Sequence, residues 1–182
     1  LRGNRVTNGA VVVMDPKTGE VLALVGSVDW SNNVFGKVNI ATSLRPPGSA
    51  FKPIIYAAGF EERIITPATI LHDKPNVFEG SYRPVNYDRR FRGNVTVRRA
   101  LSNSLNVPSV EVMDKVGVSD GLNMAKRLGI TELSDSQNYG LSLVLGSAEV
   151  QLIDMAEAFS SFAQMGRKPE TSLILEIRDK YD

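Results

Sequence analysis

The sequence predicts an α+β fold with helices packed on an antiparallel sheet, and three observations lead to that prediction. Two apolar, strand-like runs at residues 10–14 and 21–25 are joined by a turn rich in Asp, Pro and Gly, which is typical of a hairpin. The middle of the chain carries apolar residues at helical spacing, and residues 173–177 resemble one more strand. Strands and helices that are segregated along a chain favour α+β over a parallel sheet.

Residues 27–48 show little periodicity, so we expect a loop with short helical pieces there. Two prolines and Gly48 then lead into a helix that begins at Ser49, because Pro53 is tolerated only near a first helical turn. Residues 54–60 are almost entirely apolar, which indicates that this helix is buried. Residues 66–95 are punctuated by Pro and Gly and are predicted to be irregular.

Four further helices are predicted in the second half of the chain. The first runs over residues 95–101, the second begins near Pro108 and ends at Gly117, and the third is capped by Ser119 and stops at Gly129. The last has Ser147 as its N-cap, ends at Gly166 and carries an apolar stripe predicted to be core, formed by Leu152, Met155, Ala156, Phe159, Phe162 and Ala163. Three strands are few for such a core, so we expect the domain to continue beyond residue 182.

Composition narrows the possible functions. A chain of 182 residues that is 42% hydrophobic fits one domain or a large part of one, and its net charge of +1 gives no reason to expect a nucleic-acid partner. One basic run is predicted to be a solvated face, with contact to an anionic polymer as the alternative; its members are Arg89, Arg90, Arg92, Arg98 and Arg99. No apolar stretch is long enough for a membrane span, so any membrane anchor would belong to other parts of the parent protein.

Catalysis by cysteine or by a Cys/His zinc site is excluded because the chain has no cysteine and a single histidine. A Ser-His-Asp triad would have to use His72, which we interpret as a loop residue, and there is no Gly-x-Ser-x-Gly elbow. No cofactor is expected.

Ser49 and Lys52 form the strongest candidate site. Residues three apart on a helix share a face, so the Lys52 amine can approach the Ser49 hydroxyl. Serine needs a base to become a nucleophile, and a lysine can serve if burial favours its neutral form. The positive end of the helix dipole favours developing negative charge at this position. A single Ser-x-x-Lys match also occurs at capped helices with a solvated lysine, and the two residues alone do not decide between these interpretations.

Several phrases in order along the chain resemble the transpeptidase domain of class A penicillin-binding proteins. These phrases are DPKTGEVLA at 15–23, RPPGSAFKP at 45–53, NYD at 86–88, RRALSNSLNVP at 98–108 and LSLVLGSAEV at 141–150. The resemblance extends from about Gly9 to Gly166 and implies the fold shared by penicillin-binding proteins and serine β-lactamases. It also implies three motifs, Ser-x-x-Lys, Ser-x-Asn and Lys-Thr-Gly, of which Ser49 and Lys52 match the first.

The second motif has three string matches, which begin at Ser31, Ser104 and Ser136. We favour Ser104 and Asn106, because they lie between two predicted helices and their neighbours match the family phrase. The other two matches are interpreted as ordinary loop residues.

The third motif is not matched at its expected place. Lys17-Thr18-Gly19 is the only such string, but it precedes Ser49 and lies in the hairpin turn, so we assign it a turn role. By resemblance, the true motif lies on a strand after residue 182, in a remaining C-terminal part of the same domain. The isolated chain is therefore expected to be inactive.

The resemblance implies a serine D,D-transpeptidase that cross-links peptidoglycan stem peptides outside the bacterial cytoplasm and is a target of β-lactams. Ser49 would be the nucleophile, Lys52 the base and Ser104 a proton relay, while Asn106 would bind the substrate amide. The alternatives are a serine β-lactamase or β-lactam sensor of the same fold, and a non-catalytic cell-wall-binding module.

Overall fold

The computed structural model describes residues 6–180, which form two compact units. The first unit comprises the described residues up to Arg45, Leu128–Glu132, and those from Val150 onward. The second unit comprises Pro46–Arg127 and Leu133–Glu149. Helices and small antiparallel sheets confirm the predicted α+β class. No helix within residues 6–180 is long and apolar enough to cross a lipid bilayer.

The first unit contains the predicted hairpin, with β1 over Val11–Met14 and β2 over Val21–Val25 in antiparallel register. Lys17-Thr18-Gly19 lies in the turn between them, as predicted, and Gly19 has the positive φ of 78° that such a turn requires. Helix α5 (Leu152–Ala163) packs against β1, and the Ser160 hydroxyl lies 3.4 Å from the sulfur of Met14.

Two predictions for α5 are wrong. Ser147 is not its N-cap; Gln151 is, because Val150 is held extended by a pair of 3.0 Å backbone hydrogen bonds with Arg45. The apolar stripe is also only partly core. Of the six stripe residues only Met155 is buried, and Leu152, Phe159 and Phe162 are each about two-fifths exposed.

The predicted strand at residues 173–177 is absent. Only Ser172 makes a bridge, to Glu20, and the following apolar side chains are exposed, including Ile177 at 87%. An apolar run with strand-like composition forms a strand only where a neighbouring strand pairs with its backbone, and no described residue pairs with this one.

The second unit is built around α1 (Lys52–Glu61), which packs on α3 (Asn106–Val116) and α4 (Val118–Arg127). The helix is largely buried as predicted, with Ile54, Ile55 and Tyr56 at most 1% exposed, but Phe60 near its end is 38% exposed. Helix α4 begins one residue before Ser119, which is therefore in its first turn and not its cap.

Residues 66–95 are more ordered than predicted. Strands β3 (Ile70–Asp73) and β4 (Gly93–Thr96) pair in antiparallel fashion, so that His72 lies on a strand and not in a loop. β3 contains Asp and its partner contains Gly and Asn, residue types that are depleted in strands, so the composition of these two short segments did not indicate strands. Helix α2 (Val97–Ser102) follows β4 and is capped by the Thr96 side chain, two residues later than predicted.

Candidate active site

Ser49 lies in a 3₁₀ turn over Gly48–Phe51 that runs directly into α1. Gly48 adopts a positive φ of 59°, and Pro53 occupies the first turn of α1, where its missing N–H is not needed. Ser49 is exposed, and its hydroxyl makes no hydrogen bond within the described residues. The helix start predicted from the prolines and Gly48 is therefore confirmed, with Ser49 on an accessible surface.

Lys52 is completely buried, and its ammonium nitrogen makes three short contacts. Nζ donates to the Ser104 carbonyl at 2.6 Å, to Ser104 Oγ at 3.0 Å and to Asn106 Oδ1 at 2.8 Å. Burial lowers the pKa of Lys52 to about 8, from 10.5. A substantial fraction of this amine is therefore neutral at slightly alkaline pH, which is the form that accepts a proton.

The three contacts are chemically different. The carbonyl of Ser104 and Oδ1 of Asn106 can only accept hydrogen bonds, so they hold two N–H groups of Lys52 in either protonation state. The Ser104 hydroxyl can donate or accept, so when Lys52 is neutral its lone pair can receive the Ser104 proton. This arrangement permits proton exchange between Lys52 and Ser104 without rearrangement of the other two contacts.

Ser104 reaches Lys52 through an unusual backbone conformation. It lies in the turn between α2 and α3 with a φ of 52°, in the left-handed region, which is uncommon for serine and costs on the order of 1 kcal/mol. The turn is closed by Ser104 N–H to the Leu101 carbonyl at 2.9 Å and by Leu105 N–H to the Ala100 carbonyl at 2.9 Å. Together these bonds direct both the carbonyl and the hydroxyl of Ser104 toward Lys52.

Asn106 is the first residue of α3, and its side-chain amide is held at both ends. Nδ2 donates to the Val85 carbonyl at 2.9 Å, while Oδ1 accepts from Lys52. Behind it, the buried Ser109 hydroxyl donates to the Leu105 carbonyl at 2.6 Å and lies 3.0 Å from the hydroxyl of Tyr56 on α1. The start of α3 is thus tied to the helix that carries Lys52.

Lys52 contacts both Ser104 and Asn106 in the structure. This is the Ser-x-Asn match that the sequence analysis favoured over the matches at Ser31 and Ser136. Lys52 Nζ makes its hydrogen bonds to Ser104 and Asn106 and none to the Ser49 hydroxyl. The matches at Ser31 and Ser136 lie in a loop and in a single 3₁₀ turn over Ser136–Asn138, as ordinary loop residues would.

Two buried polar residues near this cluster were not assigned a role from the sequence. Asn86 is 3% exposed and Asp73 is completely buried, and they are joined by a 2.7 Å hydrogen bond from Asn86 Nδ2 to Asp73 Oδ1. Asn86 Oδ1 accepts from the backbone N–H of Asn106 at 2.8 Å. The available signal was the phrase NYD at 86–88, which belongs to the resemblance but carries no recognisable chemistry by itself.

A third missed feature supports the Ser49 turn from behind. Gly146 ends a 3₁₀ helix over Leu141–Leu145 in the left-handed conformation, with a φ of 77°. A Cβ placed on Gly146 would lie within 2.5 Å of the Gly48 backbone. The backbone that precedes Ser49 therefore packs against Gly146 with no room for a side chain.

Residues 9–182 match the family model described as "Penicillin binding protein transpeptidase domain". The chain belongs to this family. The family inferred from the sequence is therefore confirmed, and so is the fold class that the resemblance implied.

Relatives within the family are similar over most of this chain. Penicillin-binding protein 1A of Rickettsia felis is 38% identical over 185 residues, which cover 99% of this chain and 23% of the relative. Penicillin-binding protein 1C of Escherichia coli K12 is 38% identical over 160 residues, which cover 87% and 21%. The chain thus spans less than a quarter of the length of these two relatives.

Solved structures of the same fold include penicillin-binding protein 1A from Haemophilus influenzae, with a TM-score of 0.75, 29% identity, and coverage of 85% of this chain and 23% of that one. PonA1 from Mycobacterium tuberculosis, solved in complex with penicillin V, gives a TM-score of 0.75 at 24% identity, with coverage of 88% and 44%. At 24% identity, the similarity to PonA1 supports the fold of this chain.

Proposed function

We propose that this chain supplies the nucleophile and the proton-transfer groups of a serine D,D-transpeptidase that cross-links peptidoglycan stem peptides. One observation carries the proposal: in a member of this family, a buried lysine one helical turn from an exposed serine contacts Ser104 and Asn106. A buried lysine with a pKa of about 8 is suited to general-base catalysis near neutral pH.

In the proposed reaction, the Ser49 oxygen attacks the carbonyl of the penultimate D-alanine and its proton passes to neutral Lys52. Ser104, which touches Lys52 Nζ, relays a proton to the departing amine. The peptide bond breaks, D-alanine leaves, and an ester forms on Ser49. An amine from a second stem peptide then attacks the ester, gives up a proton, and restores Ser49. Asn106 would hydrogen-bond the substrate amide and orient its carbonyl.

The oxyanion hole would use the Ser49 backbone N–H and a second donor. Removing one such donor typically slows a reaction by about 100- to 1000-fold. In the family, the Lys-Thr-Gly motif follows the second motif along the chain. We therefore propose that a further C-terminal part of the same domain supplies this motif and the second donor, and that it packs on this chain as a partner. Residues 1–182 alone are accordingly proposed to be inactive.

The location and ligands of the whole protein are part of the same proposal. Its substrate is peptidoglycan, so the domain would act outside the cytoplasmic membrane, held there by an anchor elsewhere in the protein. β-Lactams would acylate Ser49 in place of the stem peptide. PonA1, which shares the fold, was solved with penicillin V, and this supports β-lactam binding here.

A fluorescent penicillin tests the proposal in the full-length protein that carries this chain. We expect a stable label at Ser49, its loss in Ser49→Ala, and labelling at least about 100-fold slower in Ser104→Ala, because the proton relay is removed. Ser136→Ala is the matched control, since it alters another Ser-x-Asn string, and it should label like the wild type.

The result also separates the alternatives. Fast turnover of the label would indicate a β-lactamase. Labelling that survives Ser49→Ala would contradict the proposed nucleophile, and its complete absence from the wild type would favour a non-catalytic binding module.

A further inference from the structure

Helix α3 lacks a capping side chain of its own. The residue at its N-cap is Leu105, whose side chain has no hydrogen-bonding group and so cannot cap the helix. The first backbone N–H groups of a helix have no partners within the helix, and a local Ser, Thr, Asp or Asn normally accepts from one of them. Here the residue that begins the helix is Asn106, so any loss of order at this end would reach the candidate active site directly.

Asn86 supplies the missing cap from a distant part of the chain. Its Oδ1 accepts from Asn106 N–H at 2.8 Å and from Val107 N–H at 3.3 Å. Its Nδ2 donates to Asp73 Oδ1 at 2.7 Å and to the Arg90 carbonyl at 2.8 Å. Both hydrogens and both lone pairs of the amide are used, and a flipped amide would face acceptors with an oxygen and donors with an NH₂ group.

Asp73 anchors this amide. It is completely buried at the end of β3, and its second oxygen accepts the Arg92 backbone N–H at 3.0 Å. The Asp88–Arg92 ion pair at 2.7 Å and the Arg89 N–H to Asn86 carbonyl bond at 2.9 Å hold the loop that delivers Asn86. The NYD phrase therefore has a physical explanation: one residue forms the cap and another fixes the loop.

The same loop also holds the Asn106 side chain. The residue before Asn86 is Val85, whose carbonyl accepts from Asn106 Nδ2, so that Oδ1 of Asn106 faces Lys52 Nζ at 2.8 Å. Residues 85 and 86 thus fix both the backbone and the amide of Asn106. Lys52, in turn, takes one of its three contacts from that amide.

We propose that Asn86, anchored on Asp73, is a positioning residue that caps α3 and thereby holds Asn106, and through it Lys52, in the geometry needed for catalysis. This inference rests on the proposed function for its catalytic part. The positioning part stands on the contacts alone and can be tested without any reaction.

The first test measures the pKa of Lys52 by NMR in the full-length protein with ¹³C-labelled lysine, using Lys52→Arg to assign the signal. In Asn86→Ala the amide of Asn106 loosens and water reaches the amine, so we expect the pKa to rise from about 8 toward its usual 10.5. Thr96→Ala is the matched control, because it removes a cap of α2 that accepts from Arg99 N–H at 3.2 Å and does not touch Lys52. It should lower the melting temperature and leave this pKa unchanged.

The second test exchanges the two partners, in case Asn86→Ala fails to fold. In Asn86→Asp the new carboxylate faces the carboxylate of Asp73, and their repulsion should lower the free energy of unfolding. In the double variant Asn86→Asp/Asp73→Asn the bond between positions 86 and 73 is re-formed in reverse, the donor to the Arg90 carbonyl stays lost, and a carboxylate accepts from the N–H of Asn106. We expect the double variant to be more stable than Asn86→Asp, with a higher Lys52 pKa than the wild type, because a nearby anion favours the ammonium.

The acylation rate by penicillin provides the catalytic readout. We expect Asn86→Ala to slow acylation by up to about 100-fold, the size of effect that a shift of about 1 Å in a catalytic group can cause. An unchanged Lys52 pKa in Asn86→Ala would overturn the inference, and so would a double variant no more stable than Asn86→Asp if Asn86→Ala does not fold. If the wild type is not acylated, the proposed function fails, while the pKa measurements still decide the positioning role.

Discussion

At the scale of single residues, the site depends on a lysine whose charge is disfavoured by its surroundings. Lys52 is surrounded by a carbonyl, a hydroxyl and an amide oxygen, and no carboxylate is among its hydrogen-bond partners. Burial is the cause of its lowered pKa. A neighbouring carboxylate would raise that pKa and keep the proton on the amine, so a cluster of neutral oxygens suits a base.

The rate at which Ser49 is acylated should depend on pH through Lys52. If neutral Lys52 is the base, the rate of Ser49 acylation in the full-length protein should rise about tenfold between pH 6 and pH 7 and level off above about pH 9, because the lowered pKa is about 8. Rates with a fluorescent penicillin across this range measure it.

Lys52→Arg tests the same point, since a guanidinium stays charged and cannot accept the proton, and should slow acylation by about 100-fold or more. Lys115→Arg is the control, because Lys115 is a surface residue paired with Glu111, and its acylation rate should match the wild type. A flat pH profile with an active Lys52→Arg variant would rule out Lys52 as the base.

Part of the site could be predicted from residue types and spacing. The prolines and glycine around Ser49 fix a helix start, and the flanking helices favoured Ser104 over two other matches. The left-handed conformation of Ser104 could not be predicted, because serine seldom adopts it, and the role of Asn86 could not be predicted, because it depends on a contact between residues 20 positions apart.

At the scale of elements, the Ser49 turn depends on its neighbour. The 3₁₀ helix Leu141–Leu145 ends at Gly146, which approaches the Gly48 backbone too closely for any side chain. The phrase LSLVLGSAEV thus has a structural role, which is to support the turn that presents the nucleophile.

Gly146→Ala should therefore damage the site as well as the fold. A methyl group would push the Gly48 backbone away and strain a φ of 77°, and we expect a loss of about 2–4 kcal/mol of unfolding free energy with slower acylation of Ser49. Gly80→Ala is the matched control. Gly80 has a φ of 67° and a ψ of 19°, in the same left-handed region as Gly146, but it has open space around it, so this variant should lose only about 1 kcal/mol and keep its acylation rate. Chemical denaturation measures the stabilities, and equal losses in both variants would contradict the packing argument.

Elements with local signals were predicted better than elements formed by distant pairing. The β1–β2 hairpin and α1 follow from adjacent residues and a turn, and both are confirmed. Strands β3 and β4 lie about 20 residues apart and are poor in strand-forming residues, so the sequence did not reveal them. Residues 173–177 show the opposite error. Their composition suits a strand, but no described strand pairs with them, so the predicted strand does not form.

At the scale of the whole molecule, the first unit leaves much apolar surface uncovered. Val11, Val13 and Val25 on the hairpin are about half exposed, and the apolar side chains of residues 173–177 are more so. Large exposed apolar surfaces mark interaction sites. We propose that the rest of the transpeptidase domain covers them, in line with the small share of each relative that this chain spans.

The most direct test of the central claim is the mass of the peptide that contains Ser49 after the full-length protein has been incubated with a stem peptide ending in D-alanyl-D-alanine. We predict an adduct on Ser49 equal to the stem peptide minus its terminal D-alanine, with one D-alanine released for each adduct formed. The ester should disappear when an acceptor amine is added, as cross-linked product forms. Release of D-alanine with no adduct on Ser49, or an adduct on a different residue, would contradict the account.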